Sequence, residues 1–399
     1  MRRFIEKIVE GGFLISGSVT SLAILLIILF LFKEAGGLFN SPVVEDGYVI
    51  AVHKENPVKH LSAKTLMDIF DEEITNWSDV SEKESGIDQE ILVFRFSDLT
   101  NYYSEEELGS EFQYIPDKIN ELVVREPGII AFIPVQYVAD NFQGRVLDDD
   151  KIALADFFAG TQWYPTATPA PVFGLIPLLL GTLLVSFGAI LLSLPFGLAV
   201  AIYLAEIASK RMREILKPII ELLAGIPSVV FGFFGLVVLV PFIQRLLDLP
   251  VGETAFAGSV VLGIMALPTI ITVAEDSMRT TPSAMKEASL ALGATRWQTI
   301  YKVIIPYSIS GITSAVVLGI GRAIGETMAV LMVTGNAAVI PTSFFEPVRT
   351  IPATIAAELG EAPAGGAHYQ SLFLLGAVLF VITLLLSFTV EYISSKRKF

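Results

Sequence analysis

The chain has 399 residues, of which 53% are hydrophobic in type and only 17% charged, and its mean hydropathy is +0.64. A soluble core cannot absorb that much apolar surface, which excludes an ordinary water-soluble globule and requires a membrane-embedded body. The formal charge of −14 is confined to one region: residues 33–165 hold 26 Asp or Glu against 10 Lys or Arg, whereas the rest of the chain holds 15 against 17.

Six apolar stretches reach or approach the roughly 20 residues that cross about 30 Å of hydrocarbon as helix. They lie at about 13–32, 175–204, 219–241, 254–273, 309–333 and 372–390. Helix is forced, because an open strand would leave backbone groups unpaired in lipid. The first stretch, behind Arg2 and Arg3, is long and has no small-residue cleavage pattern before Lys33 and Glu34, so it reads as a retained spanning helix rather than a signal peptide. With the amino terminus inside, the inner side collects Arg2, Arg3 and Lys7, then Lys210, Arg211, Arg213 and Lys217, then Arg279, Lys286, Arg296 and Lys302, and finally Lys396, Arg397 and Lys398. The two short outer connections hold only Arg245 and Arg349. Both termini are therefore expected in the cytoplasm, and an even number of spans follows.

Three regions result: 1–32 with the first span, an acidic extracytoplasmic insert at 33–165, and a membrane body at 166–399. In the insert, LSAKTLMDIFDEE has Leu66, Ile69 and Phe70 at helical spacing behind Ser62, a candidate cap. Short apolar runs at 91–94, 122–124 and 129–135 read as strands, with Pro127-Gly128 turning the chain before the last. With no cysteine in the chain, neither disulfides nor thiolate ligands hold this domain together. His53, His60 and His368 are too scattered to suggest a metal site.

In the membrane body, the inner-side run EASLALGATRWQTIYKVIIP at 287–306 offers a short helix from about Ser283 to Leu292, a turn at Gly293, and a second piece bearing Arg296, Trp297 and Lys302. Such an elbow suits either a solvated interfacial loop anchored by Trp297 and Tyr301 or a surface that engages a cytoplasmic partner. The run GRAIGETMAV at 321–330 falls within the fifth span, where a charge costs roughly 2.5–3.5 kcal/mol. Glu326, four residues after Arg322, is placed to pair with it on one helix face. The pair reads either as a bundle-locking salt bridge or as the polar lining of a small-anion path, with Arg322 offering a fork of donors and Glu326 tempering the charge. Pro195, Pro227 and Pro268 are candidate kink sites, and Gly321-x-x-x-Gly325 is a weak helix-packing signal. No GxxxxGK[ST] pattern occurs, and no nucleophile and base constellation suggests an enzyme.

The elbow resembles the coupling loop of permease subunits from bacterial ATP-driven importers: Glu-Ala-Ala, three residues, Gly, nine residues, then Ile, any residue, Leu, Pro. Glu287, Ala288, Gly293 and Pro306 fall in register, and Ser289, Val303 and Ile305 are mild substitutions. GRAIGETMAV, with LAGIPSVVFGFFGLVVLVP at 223–241 and the run ending at Glu206, resembles the PstC type of phosphate-importer permease over about 171–390. The resemblance implies an all-α polytopic fold of about six transmembrane helices, the type I ABC importer permease fold, with a mixed α/β insert. It also implies a bacterial inner-membrane location, a PstA-type permease partner, two cytoplasmic ATP-binding subunits carrying ATP and Mg, and an extracytoplasmic phosphate-binding protein. No cofactor or metal on this chain and no nucleic-acid partner is expected. Arg322 and Glu326 would line the substrate path, and Glu287, Ala288, Gly293, Arg296 and Pro306, within a loop at about 277–306, would couple to the ATPase. A permease for sulfate, molybdate or phosphonate, or a receptor using the insert as sensor, would share much of this pattern.

Three pieces of the insert also resemble the phosphate-binding protein: LMDIFDEEITNWSDV its helix and Asn-Trp turn, ILVFRFSDLT its strand and Arg-x-x-Ser-Gly-Thr anion loop, and VVREPGIIAFIP a later strand. In the loop Arg95 and Thr100 remain, but Asp98 replaces Ser and Leu99 replaces Gly. A carboxylate there repels an anion, and a leucine removes the close approach that glycine permits.

Overall fold

The computed structural model describes residues 2–45, 47–80, 88–109, 112–148 and 151–395. Lys396, Arg397 and Lys398, expected as an inner-side basic cluster, lie outside them. The chain divides into two compact units, Met1–Phe32 with Leu175–Ala362 and Leu372–Phe399, and Lys33–Gly174 with Pro363–Ser371.

Helix α1, Arg2–Gly37, opens the chain, and no side chain in its apolar window is buried. Exposed Phe13, Leu14 and Ile27 suit a helix surrounded by lipid. Near its end, Phe30 and Phe32 meet the rings of Phe373 and Phe380 edge-on at 5.6 and 6.2 Å.

The insert unit is built on strands β1 (Tyr48–Val52), β2 (Leu92–Arg95), β3 (Ile129–Pro134) and β4 (Arg145–Val146), in the order β2-β3-β1-β4. β3 runs parallel to β2, with Leu92 opposite Ile129, and antiparallel to β1, with Val52 opposite Ile130. Around the sheet lie α2 (Ala63–Phe70), α3 (Leu99–Tyr102), α4 (Glu105–Leu108), α5 (Ile115–Arg125) and α6 (Leu154–Phe158). As expected, Ser62 caps α2, its hydroxyl accepting from the Thr65 amide at 3.2 Å. The expected strand at 122–124 is instead the last turn of α5. Leu122 and Val123 continue a helical stripe begun by Ile115 and Ile119, all four buried, and a three-residue apolar run could not reveal that period. The strand β1 was not anticipated.

The unit also extends past 165. Strand β5 (Trp163–Tyr164) pairs antiparallel with β6 (Val172–Phe173), which lies beyond that point, and residues 363–371, including His368, join the same unit. Trp77, 1% exposed, fixes the turn before β3 by donating its indole N–H to the Gly128 carbonyl at 2.9 Å.

The second unit contains α7 (Ile176–Ile202), α8 (Lys210–Ala224), α9 (Ser228–Leu247), α10 (Ala255–Arg279), α11 (Ser283–Ala291), α12 (Arg296–Tyr307), α13 (Ile309–Ile324), α14 (Met328–Val333) and α15 (Ile351–Glu358), and it takes in α16 (Ala367–Ser395) from residue 372. Among the described residues, five helices are long and apolar enough to cross a membrane, and six crossings result if the bent pair α12 and α13 makes one. Small residues let the crossings pack: a Cβ on Gly188 would lie 2.4 Å from the Ser259 hydroxyl, and one on Gly232 2.9 Å from the Ala329 Cα. Gly321 by contrast meets nothing within 4 Å, so the Gly321-x-x-x-Gly325 spacing is not a packing contact there.

Two expected spans are corrected. The stretch 219–241 is not one helix, because α8 ends at Ala224 and the crossing begins at Ser228. Pro227 supplies no N–H and drives Ile226 out of the helical region, which separates the two. The stretch 309–333 is likewise interrupted. Helices α12 and α13 meet at 72° just before it, and within it α13 stops at Ile324, with three residues between it and α14.

Replacing Trp77 by Ala is expected to destabilise the insert by about 3–5 kcal/mol through the cavity and the lost hydrogen bond. The check is faster amide exchange across β2 and β3 in the full-length protein, with half-exposed Tyr164→Ala as the near-neutral comparison.

Candidate functional site

The elbow between α10 and α13 folds as its sequence dictates. Helix α11 ends where Gly293 takes φ +85°, with its amide on the Leu290 carbonyl at 3.0 Å and the Ala294 amide on Ser289 at 3.2 Å. This double closure needs a left-handed residue, and glycine adopts it without a Cβ penalty. Thr295 then caps α12 through a reciprocal box: the Gln298 amide donates to its hydroxyl at 3.2 Å and the Gln298 side chain accepts from the Thr295 amide at 2.8 Å. The feet of the elbow are stitched together by Ser308, whose hydroxyl donates to the Ser277 carbonyl at 3.1 Å and lies 3.3 Å from that of Thr281.

Glu287, Ala288, Gly293, Arg296 and Pro306 are all exposed. Leu292 is 89% exposed and Trp297 60%, apolar surface at the end of α11 and in the first turn of α12. The structure thus brings the five predicted loop residues onto one compact elbow and leaves them uncovered.

The Arg322 neighbourhood differs from expectation. Arg322 sits half-buried in the last turn of α13, where a Nη1 proton points to the Thr269 hydroxyl at 3.4 Å. Glu326 lies beyond the end of that helix and accepts instead from the Ala329 amide at 3.3 Å, at the start of α14. Among the described residues no ion pair joins them. The i,i+4 argument assumed a continuous helix, and the break at Gly325 removes it. Each charge now complements the helix end beside it, the cation at the carbonyl end of α13 and the carboxylate at the amide end of α14.

Sequence reasoning missed a third constellation. Glu275 in α10, with its side chain 1% exposed, is ringed by Lys217 at 3.2 Å, Arg279 at 3.6 Å and Arg213 at 3.8 Å. Its Oε1 atom accepts no hydrogen bond among the described residues. Burial pulls the Lys217 ammonium down, but hydrogen bonds to Asp276 and Glu275 outweigh it and hold the group above the ordinary lysine value. Lys286 of α11 reaches Glu206 at 2.5 Å. The i,i+4 spacings of Arg213 with Lys217 and of Glu275 with Arg279 were the available signal.

The family described as binding-protein-dependent transport system inner membrane component matches residues 193–399, just over half of the chain. The chain belongs to this family. It is therefore a multi-pass inner-membrane protein and the permease subunit of an ABC-type importer. Among its relatives, a probable ABC transporter permease protein, YqgH of Bacillus subtilis, is 42% identical over 247 residues, covering 62% of this chain and 80% of that protein. The phosphate transport system permease protein PstC of Mesorhizobium japonicum is 39% identical over 255 residues, covering 59% and 77%. That of Pasteurella multocida is 37% identical over 246 residues, covering 57% and 75%. The insert is similar to a second family, the PBP superfamily domain, over residues 30–182.

Gly293→Val forces a branched residue into the left-handed region and is expected to loosen the α11 to α12 turn by about 1–2 kcal/mol. Hydrogen exchange at the Gly293 and Ala294 amides measures it. Gly360→Val, where neither φ nor a neighbour within 4 Å opposes a side chain, should leave them unchanged.

Proposed function

We propose that this permease carries inorganic phosphate, forming the pathway together with a homologous PstA-type subunit while two ATP-binding subunits dock in the cytoplasm and an extracytoplasmic phosphate-binding protein delivers the substrate. The observation that carries this reading is Arg322, a half-buried guanidinium at a break in an otherwise apolar crossing, held by a long hydrogen bond to a hydroxyl and by no carboxylate among the described residues. A cation left unneutralised there is costly unless something anionic uses it. A planar fork of donors suits a tetrahedral oxyanion. Glu326, turned to the Ala329 amide, leaves that charge available and adds a nearby negative group that favours release. The relatives whose printed names include phosphate transport support the choice of anion.

The elbow at 283–306 is the docking surface for the ATPase. Exposed Leu292 and Trp297 supply its apolar contact, and Glu287, Ala288, Gly293, Arg296 and Pro306 set its shape and charge. ATP and Mg belong to the docked subunits, whose closure moves the elbow and, through it, the bundle.

The insert is a binding-protein-like lobe that does not hold phosphate tightly and serves as a docking or gating surface for the delivering protein. Its one arginine in the degraded anion loop is already engaged: the Arg95 guanidinium donates to the Phe70 carbonyl and lies 5.4 Å from that ring's centre. Asp98 turns its carboxylate to the Arg95 amide at 3.3 Å, taking the donor that an incoming anion would need.

Arg322→Ala is expected to reduce uptake of radiolabelled phosphate by the reconstituted importer to background while the complex still assembles. Normal uptake at matched expression would remove Arg322 from the pathway. Stronger competition by sulfate, molybdate or a phosphonate than by phosphate would reassign the substrate, and assembly with no ATP-dependent flux would point to a receptor. Titrating phosphate into the detergent-solubilised chain should give no micromolar binding, and micromolar heat that vanishes in Arg95→Ala would overturn the reading of the insert.

A further inference from the structure

Helix α8 is held to the bundle inside out. It has no buried residue, and Met212, Ile215, Ile219 and Leu222 stand 40–72% exposed along one side. Its charged side does the holding. Arg213 donates from Nε to the Leu204 carbonyl at 2.9 Å and from Nη2 to Ala205 at 3.2 Å, and so takes up carbonyls of the π-turn Tyr203–Ile207 that ends α7. The same guanidinium faces Glu275 of α10 at 3.8 Å. One turn further along α8, Lys217 is shared between Glu275 at 3.2 Å and Asp276 at 3.1 Å. The π-turn also carries Glu206, only 13% exposed in its side chain, and this is the group that Lys286 of the elbow helix α11 reaches at 2.5 Å.

Polar contacts therefore run from the elbow to the ends of three helices: Lys286 pairs with Glu206, the Leu204 and Ala205 carbonyls of the same turn receive Arg213, and ion pairs join Arg213 to Glu275 and Glu275 to Lys217 and Arg279. A helix locked by interdigitated apolar side chains moves only with its neighbours, because packed interiors are stiff. A helix held by a few discrete ion pairs can change partners. The π-turn adds a segment of irregular backbone at the junction, the kind of feature found at functional positions. No member of this network lies in the Arg322 neighbourhood or on the exposed face of the elbow.

We infer that the network Lys286–Glu206–Arg213–Glu275–Lys217 transmits displacement of the elbow to α7, α8 and α10, with Glu206 and Lys286 as its input and Glu275 as its hub. These are positioning residues and touch neither nucleotide nor substrate. The inference rests on the elbow being the ATPase-docking surface.

The test uses the complete importer in proteoliposomes, with inorganic phosphate uptake and ATP hydrolysis measured together for Glu206→Lys, Lys286→Glu, the double exchange, and Glu275→Gln. Each single exchange is expected to lower phosphate moved per ATP by about tenfold, within the span of ordinary coupling between sites, while the ATPase subunits still co-purify. The double exchange restores the ratio to within about twofold, an interaction that independent structural effects would not produce. Glu275→Gln, close in shape but uncharged, lowers the same ratio with no rescue from either exchange. Unchanged ratios in the single variants, or a double exchange as poor as the worse single one, overturn the inference. Failure of the docking reading is separate: ATPase subunits that bind a Leu292→Asp, Trp297→Ala chain as well as the parent would overturn that reading whatever the exchanges do.

Discussion

A break in a helix that crosses hydrocarbon frees carbonyls on one side and amides on the other, and no water is present in lipid to receive them. Counted together with α12, the fifth crossing is broken twice, and the protein's own groups occupy both breaks. At the first, Ser308 gives its amide to Ile304 and its hydroxyl to Ser277. At the second, the Gly325 and Glu326 amides return to Gly321 and Ala323, the Thr327 hydroxyl donates to Gly325, and the Glu326 carboxylate receives the Ala329 amide. Arg322 and Glu326 therefore owe their placement to the interruption rather than to each other. Polar backbone and charge are concentrated where a crossing ceases to be regular, the arrangement that lets membrane proteins hold an ion away from water.

The two units meet opposite solvents with opposite devices. The insert carries the acidic excess on its surface and buries an uncharged core in which Phe94, Ile119, Leu122, Ile129 and Ile133 are fully covered or nearly so. The bundle reverses this. Large apolar side chains such as Phe187, Leu191 and Phe196 are more than half exposed, and small groups such as Ala189, Gly188 and Ser259 fill contacts between helices. Apolar burial cannot drive helices together in lipid, so close approach and hydrogen bonds such as that from Ser259 to the Val185 carbonyl at 3.1 Å take its place.

Much of this was legible in sequence. Length and apolarity located the apolar stretches, the cap at Ser62 located α2, and Gly293 marked the turn of the elbow, though not its left-handed conformation. What escaped was what periodicity cannot carry. The run 122–124 was too short to declare a period, and only the tertiary placement of Ile115 and Ile119 makes it helical. The interruption at Gly325 was hidden because GRAIGETMAV has no proline and a glycine is tolerated in membrane helices. Without that break the pairing of Arg322 with Glu326 followed from spacing alone. Glu275, just past the fourth apolar stretch, drew no reading from the sequence, because its partners Arg213 and Lys217 lie about 60 residues away and are brought to it only by the turn at 225–227 and the return of the chain through α9.

The composition of that hub is itself informative. Three cations surround Glu275, and Asp276 supplies a second carboxylate, so the cluster carries more positive than negative side-chain charge. The imbalance is reduced by the carbonyls at the end of α7, which receive Arg213. Breaking a fully buried pair costs about 3–5 kcal/mol and a part-exposed one less, yet replacing a whole buried set by apolar groups is often neutral or stabilising. Stability alone therefore gives no reason to bury a carboxylate whose Oε1 accepts no hydrogen bond among the described residues. An exchangeable set of partners does give one, because an acid with three cations and an open acceptor can redistribute its contacts without ever being left unpaired.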